Sequence, residues 1–168
     1  PENPKVMADK LSYVRYFEPY NWLIGTGDYL YKWEERQKLE TIFHLRTHRF
    51  GTTGYVALFD ASGRSLITPS NAALENKTGA DLNDFERSVL EKLLSTARAG
   101  GGIVHYDWPH PDTGILVKKT AYIQTYEPWQ WIVVTTQFDD EILATIAVEQ
   151  QIFAQLSNRQ ALTSALAG

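Results

Sequence analysis

The chain has 168 residues, with 16 Lys and Arg against 20 Asp and Glu for a formal net charge of −4, and is 43% apolar and 21% charged. That is the range of one globular domain, or of one unit plus a piece of a neighbour, and it offers no positive field to hold nucleic acid. Zero cysteines exclude disulfides, thiolate metal sites and thiol catalysis, and no apolar run approaches the roughly 18 residues a membrane-spanning helix requires.

Residues 10–26, KLSYVRYFEPYNWLIGT, are rich in aromatic and β-branched residues interrupted at Glu18-Pro19. Proline fixes φ and cannot donate to a ladder, so the pattern predicts strand, turn, strand. The pattern returns at residues 119–135, KTAYIQTYEPWQWIVVT, at a constant offset of 109 with six of seventeen positions identical: Lys10/Lys119, Tyr13/Tyr122, Glu18/Glu127, Pro19/Pro128, Trp22/Trp131 and Thr26/Thr135. Between the copies, residues 28–49 read as a long helix, with Tyr29, Leu30, Trp33, Leu39, Ile42, Phe43 and Phe50 mostly three or four apart. GYVALFD from Gly54, a turn at Gly63 and SLIT from Ser65 make a hairpin ended by Pro69. Residues 70–82 read as loop, after which Asn83 or Asp84 caps a helix carrying Phe85, Val89, Leu93 and Ala97 on one stripe. Three glycines, Gly100 to Gly102, end it. IVHYDW (Ile103 to Trp108) is a strand, PHPDTG a turn, and the repeat copy supplies two more strands. Residues 139–168 read as a further helix with a thin, Ala-rich apolar stripe. The fold class expected is α+β: an antiparallel sheet of about five strands within 54–138, a long helix before it and a C-terminal helix after it.

This order resembles the Cache domain, the PAS-like extracytoplasmic sensor module of bacterial receptors. The resemblance is carried by Lys10, Ser12, Tyr13, Val14, Trp22, Leu23, Ile24, Gly25, Thr26, Gly27 and Tyr29, which follow the family's closing strands. Gly101, Gly102, Ile103, Val104, Tyr106, Trp108 and Pro109 follow its Gly-Gly-Phe-Val-x-Tyr-x-Trp-Pro strand, and Asp60 and Gly63 its hairpin. Two closing motifs in one chain resemble the double-Cache arrangement. On that reading residues 1–27 are the last strands of a preceding unit, 28–49 the connecting helix, 50–138 a complete unit and 139–168 a signalling helix. Two positions depart from the family. Thr68-Pro69 stands where His-Pro is usual, and Val134-Thr135-Thr136 where the first copy keeps Gly25-Thr26-Gly27. Val134 and Thr136 share a strand face, and the expectation is that this face meets the long helix rather than the pocket.

The resemblance implies a periplasmic or extracellular ligand-binding module of an inner-membrane receptor, reaching the membrane only through flanking segments. It implies no catalysis and no cofactor, and the sequence carries no phosphate loop, nucleophile elbow or paired histidines with a third ligand. His105, Asp107, His110 and Asp112 are read as a solvated strand face and turn rather than a metal site, and His44 and His48 as a surface pair. A small carboxylate or amino acid in an apolar cavity needs a cation to replace its water. Lys118 and Lys119 point to opposite strand faces, and the match to Lys10 selects Lys119 as the inward one. Tyr106, Trp108, Tyr122, Tyr55, Phe59 and Thr68 complete the expected ligand site, with a homodimer expected through the long helix. The competing readings are a ligand-free structural spacer or dimerisation module of the same fold and, from the 5 Trp and 9 Tyr, a carbohydrate-binding module. The latter needs exposed aromatic platforms, whereas the strand and helix patterns suggest buried tryptophans.

Overall fold

The computed structural model describes residues 7–166, with side chains described for 7–157. It divides into two compact units, residues 1–44 and 45–168.

The first unit holds a hairpin of β1 (Lys10–Phe17) and β2 (Trp22–Tyr29), then most of α1 (Leu30–Thr47). Pro19 opens a single 3-10 turn between the strands, and Asn21 closes it in the left-handed region at φ 54°, its N–H donating to the Glu18 carbonyl. Left-handed backbone suits Asn better than most side chains. Helix α1 begins two residues later than its sequence pattern suggests, because Tyr29 still pairs with Lys10 in the hairpin. Trp22 and Trp33 are more than half exposed, so the expected burial of the tryptophans does not hold in this unit.

The second unit is built on one antiparallel sheet in the order β3-β4-β8-β7-β6, from Arg49–Phe50, Gly54–Asp60, Trp131–Phe138, Leu116–Tyr126 and Gly102–Pro109, with short β5 (Ser65–Ile67) also on β4. The five strands expected within 54–138 are β4 to β8, and β3 is the addition that takes over the end of the expected long helix. The repeat is structural as well as sequential. β7 and β8 pair Lys119 with Phe138 as β1 and β2 pair Lys10 with Tyr29, and Gln130 closes a 3-10 turn at φ 53° as Asn21 does. The α+β class expected is the class found.

One face of the sheet is covered by α2 (Asp84–Arg98), whose Leu90, Leu93, Leu94 and Ala97 pack on Tyr55, Ala57, Phe59, Val104, Ala121, Ile123, Ile132 and Val134. The buried stripe is thus centred on Leu90 and Leu94 rather than on Phe85, which stays 39% exposed and stacks on Trp108 at 5.8 Å. Asn83 caps α2 through a reciprocal box: its side chain accepts from the Glu86 N–H, and the Glu86 carboxylate accepts from the Asn83 N–H. Asn83→Ala is expected to cost about 1 kcal/mol in urea denaturation. Gly101, at φ 86°, turns the chain from α2 into β6, and a Cβ there would lie 2.5 Å from the Ile123 carbonyl oxygen. Helix α3 (Asp139–Leu166) leaves directly from the end of β8, with Leu143, Ile146, Ile152, Phe153 and Leu156 exposed. Among the described residues no helix is long and apolar enough to cross a membrane.

Candidate functional site

Strand alternation brings five of the seven expected residues to one face. Tyr55 and Phe59 stand on β4, Tyr106 and Trp108 on β6, and Lys119 on β7, with Tyr106 and Lys119 paired in register. Thr68 joins them from the end of β5, buried, its hydroxyl 2.7 Å from Ser65 Oγ. Tyr122 does not. It is one residue out of phase with Lys119 and Ala121, pairs with Ile103 and Thr135 on the opposite face, and is half exposed, so the period of two that turns Lys119 inward turns Tyr122 outward.

Two chambers open on this face. The inner one, about 60 Å³, lies between the sheet and α2, with Ala57, Phe59, Val89, Leu90, Leu93 and Val134 giving it apolar walls. Thr136 lines it as well, and the Thr136 hydroxyl lies 3.1 Å from the Tyr106 hydroxyl and donates to the Thr120 carbonyl. Val134 and Thr136 therefore line the cavity, contrary to the expectation that their face meets the long helix; α2 covers this face. The second chamber, about 220 Å³, is lined by Arg49, Thr52, Thr53, Ser70 and Lys119 among its polar groups and by Phe138 and three prolines among its apolar ones. Tyr55 and Trp108 line both chambers.

Lys119 is the chemical centre. It has no exposed surface, its Nζ donates to the Tyr55 hydroxyl at 2.9 Å, and the ammonium sits 4.2 Å from the Tyr55 ring centre and 4.6 Å from that of Phe138. An ammonium has three donors, and among the described residues no carboxylate lies within ion-pair distance of this one. Burial without a counter-charge brings the Lys119 amine down to about 7. Burial also raises the Tyr55 hydroxyl, against the opposing pull of Ser70, 2.7 Å away, and of the Arg49 charge. Tyr106 is raised chiefly by burial too. Both phenols stay neutral, so the polar chamber presents Arg49, the Lys119 amine and several hydroxyls, and among the described residues no acidic side chain lines it.

The loop that roofs the site is tied down. Glu75 receives both contacts of Arg46 Nη1, at 2.6 and 2.7 Å, and also accepts from the Thr68 N–H at 3.1 Å. Thr68, where the resembling family has histidine, thus contributes backbone and a buried hydroxyl rather than a titrating ring. Arg49, Thr52, Thr53 and Ser70 were not legible as site residues: Arg49 reads as the last residue of the long helix, and Thr52 and Thr53 only as a short connection between Gly51 and Gly54. Among the described residues no three of His, Asp or Glu converge on a metal position. His105 instead bonds Thr120 at 2.8 Å.

The family profile that matches, described as Cache domain, covers residues 1–143. The sensor histidine kinase MctS of Rhizobium johnstonii is 29% identical over 115 residues, 68% of this chain and 25% of the kinase. The methyl-accepting chemotaxis protein McpP of Pseudomonas putida is 27% identical over 130 residues, 76% of this chain and 23% of that protein. This chain therefore spans about a quarter of the length of the curated relatives it matches. Among solved structures, one described as the structural basis for carboxylic acid recognition by a Cache chemosensory domain superposes with a TM-score of 0.56 at 25% identity, covering 62% of this chain and 73% of that one. A methyl-accepting chemotaxis protein from Vibrio parahaemolyticus gives 0.54 at 25% identity, over 62% and 72%. The order of elements, the double closing motif and a family match over residues 1–143 agree, and the chain belongs to the Cache domain family of sensor modules.

Proposed function

We propose that the second unit is the extracytoplasmic ligand-binding module of a bacterial transmembrane receptor, and that it takes a small monocarboxylate. The observation that carries this reading is Lys119, a fully buried amine with no carboxylate partner among the described residues, facing a chamber that Arg49 and hydroxyl groups also line. The ligand's carboxylate replaces the missing counter-charge, and its short apolar tail enters the inner chamber past Tyr55 and Trp108. An amino acid fits less well, because its ammonium would meet two cations and no acid in the polar chamber. The neighbour whose printed description concerns carboxylic acid recognition supports the same class. Residues 1–27 read as the closing strands of a preceding unit and α1 and α3 as the helices that join this module to its receptor; exposed Leu39 and Phe43 on α1 suit a homodimer contact.

A melting screen of acetate, propionate, butyrate and the neutral amides tests the reading. At 100 times Kd, linkage adds about 2.7 kcal/mol, roughly 5–10 °C for a unit of this size. Acids that shift the melting point while their amides do not would support it; no shift from any acid would leave a structural spacer.

A further inference from the structure

Helix α3 carries its own carboxylate to the rim of this chamber. Glu141 Oε2 accepts from the Thr53 N–H at 3.0 Å, and Glu141 also takes hydrogen bonds from the Thr53 hydroxyl and the Thr52 N–H. Thr52 and Thr53 line the polar chamber beside Lys119, and Phe138, three residues before Glu141, faces the Lys119 ammonium from the end of β8. Gly51 makes the approach possible. Its φ is +57°, and a Cβ there would lie 2.6 Å from Glu141 Oε1 and 2.5 Å from Gln137 Nε2. Burial acts to raise the Glu141 carboxyl, but the donors from Thr53, Thr52 and Gln137 outweigh it and hold the group at about 2. It is therefore an anion throughout the neutral range. Beside it the Asp140 side chain accepts the Glu141 N–H at 2.8 Å and Asp139 is bound to Thr120 at 2.6 Å, while Arg49 and Lys119 line the chamber with Thr52 and Thr53.

We propose that Glu141 is an internal competitor for the carboxylate site: without ligand it holds the Thr52 and Thr53 donors, and a bound anion displaces it and frees the first turn of α3. The inference rests on the carboxylate reading above. Two anions cannot share the Thr53 hydroxyl without repulsion, and one of them is the second residue after the start of the helix that leaves the sheet. Exchange between them converts occupancy into a change at α3, with a coupling that is reciprocal: whatever factor the latch costs the ligand, the ligand costs the latch.

The test measures Kd for acetate, propionate and butyrate by calorimetry, and hydrogen exchange over residues 139–150, in the wild type, Glu141→Gln and Gly51→Ala. Glu141→Gln keeps shape and removes charge, and is expected to bind the acids about five- to tenfold tighter. Gly51→Ala pushes Glu141 away from the opposite side and is expected to act in the same direction. In the wild type, saturating acid is expected to speed exchange over 139–150 to the rate that Glu141→Gln shows without ligand. Acids that bind the wild type and Glu141→Gln equally, with exchange unchanged, would overturn the latch and leave the carboxylate reading standing. No binding of any acid to either protein would overturn both.

Discussion

Lys119→Met is expected to abolish carboxylate binding and, in the same protein, to raise stability. The affinity loss should be at least about 30-fold, since removing one partner of a buried, hydrogen-bonded charge pair costs about 2–5 kcal/mol. The stability gain follows from the unpaired burial: replacing even a buried ion pair by apolar side chains is neutral or stabilising by about 1–4 kcal/mol, and Lys119 lacks the Coulombic compensation a pair has. The sign with pH is definite. Lys119 titrates near 7 when folded against an ordinary 10.5, so between those values the unfolded chain binds more protons and the stability of the wild type rises with pH. Below pH 7 the penalty is present in full, and the gain from methionine is largest there and fades toward pH 10.5. Ligand affinity runs the other way. A carboxylate needs the ammonium, so wild-type binding should be tightest below pH 7 and fall about tenfold per pH unit above it. Tyr55, beside the ammonium, stays neutral across this window, and the His110 ring, between the chamber-lining Pro109 and Pro111, lies 4.9 Å from the Phe138 ring. Urea denaturation at pH 6 and pH 9, with calorimetric Kd at the same two values, reads both effects. Equal affinity of wild type and Lys119→Met at pH 6 would remove Lys119 from the site.

Lys119 also marks what a single sequence can reveal. A strand period of two leaves only one of two adjacent lysines facing inward, and the repeat chose between them, because Lys10 and Lys119 hold the same register against Tyr29 and Phe138. The same logic placed Tyr55, Phe59, Tyr106 and Trp108 on a common face. Tyr122 went astray on its phase, one residue out of step with Lys119 and Ala121; it is exposed, as is its counterpart Tyr13. The face of Val134 and Thr136 went astray because the helix that covers it, α2, is amphipathic at a phase centred on Leu90 and Leu94. Arg49, Thr52 and Thr53 escaped for a different reason. A two-residue strand has no period to detect, and β3 is defined only by its pairing of Arg49 with Tyr55 and Phe50 with Gly54. The contact of Glu141 with Thr52 and Thr53 joins residues 88 and 89 positions apart and has no local signature at all.

Ala57→Leu is expected to change which acid binds while leaving the head-group site intact. Ala57 is buried on β4 between Tyr55 and Phe59, pairs in register with Val134, and lines the inner chamber. If the tail occupies that chamber, each methylene taken from water contributes about 0.8 kcal/mol. Butyrate, two methylenes longer than acetate, should then bind the wild type roughly tenfold tighter. Leucine pushes three more carbons into a space of about 60 Å³. Neighbouring Phe59, Leu90 and Val134 are packed and give way only at a cost, so the variant should lose up to about 3 kcal/mol of stability. Butyrate should lose at least about tenfold in affinity, while acetate, held at Lys119 and Arg49 with almost no tail, should stay within about twofold. The ratio of the two affinities carries the decision, because it cancels any general loosening of the unit. A ratio unchanged between wild type and Ala57→Leu would mean that the tail does not enter the inner chamber, and would confine the ligand to the polar chamber between Lys119 and the Thr52-Thr53 turn.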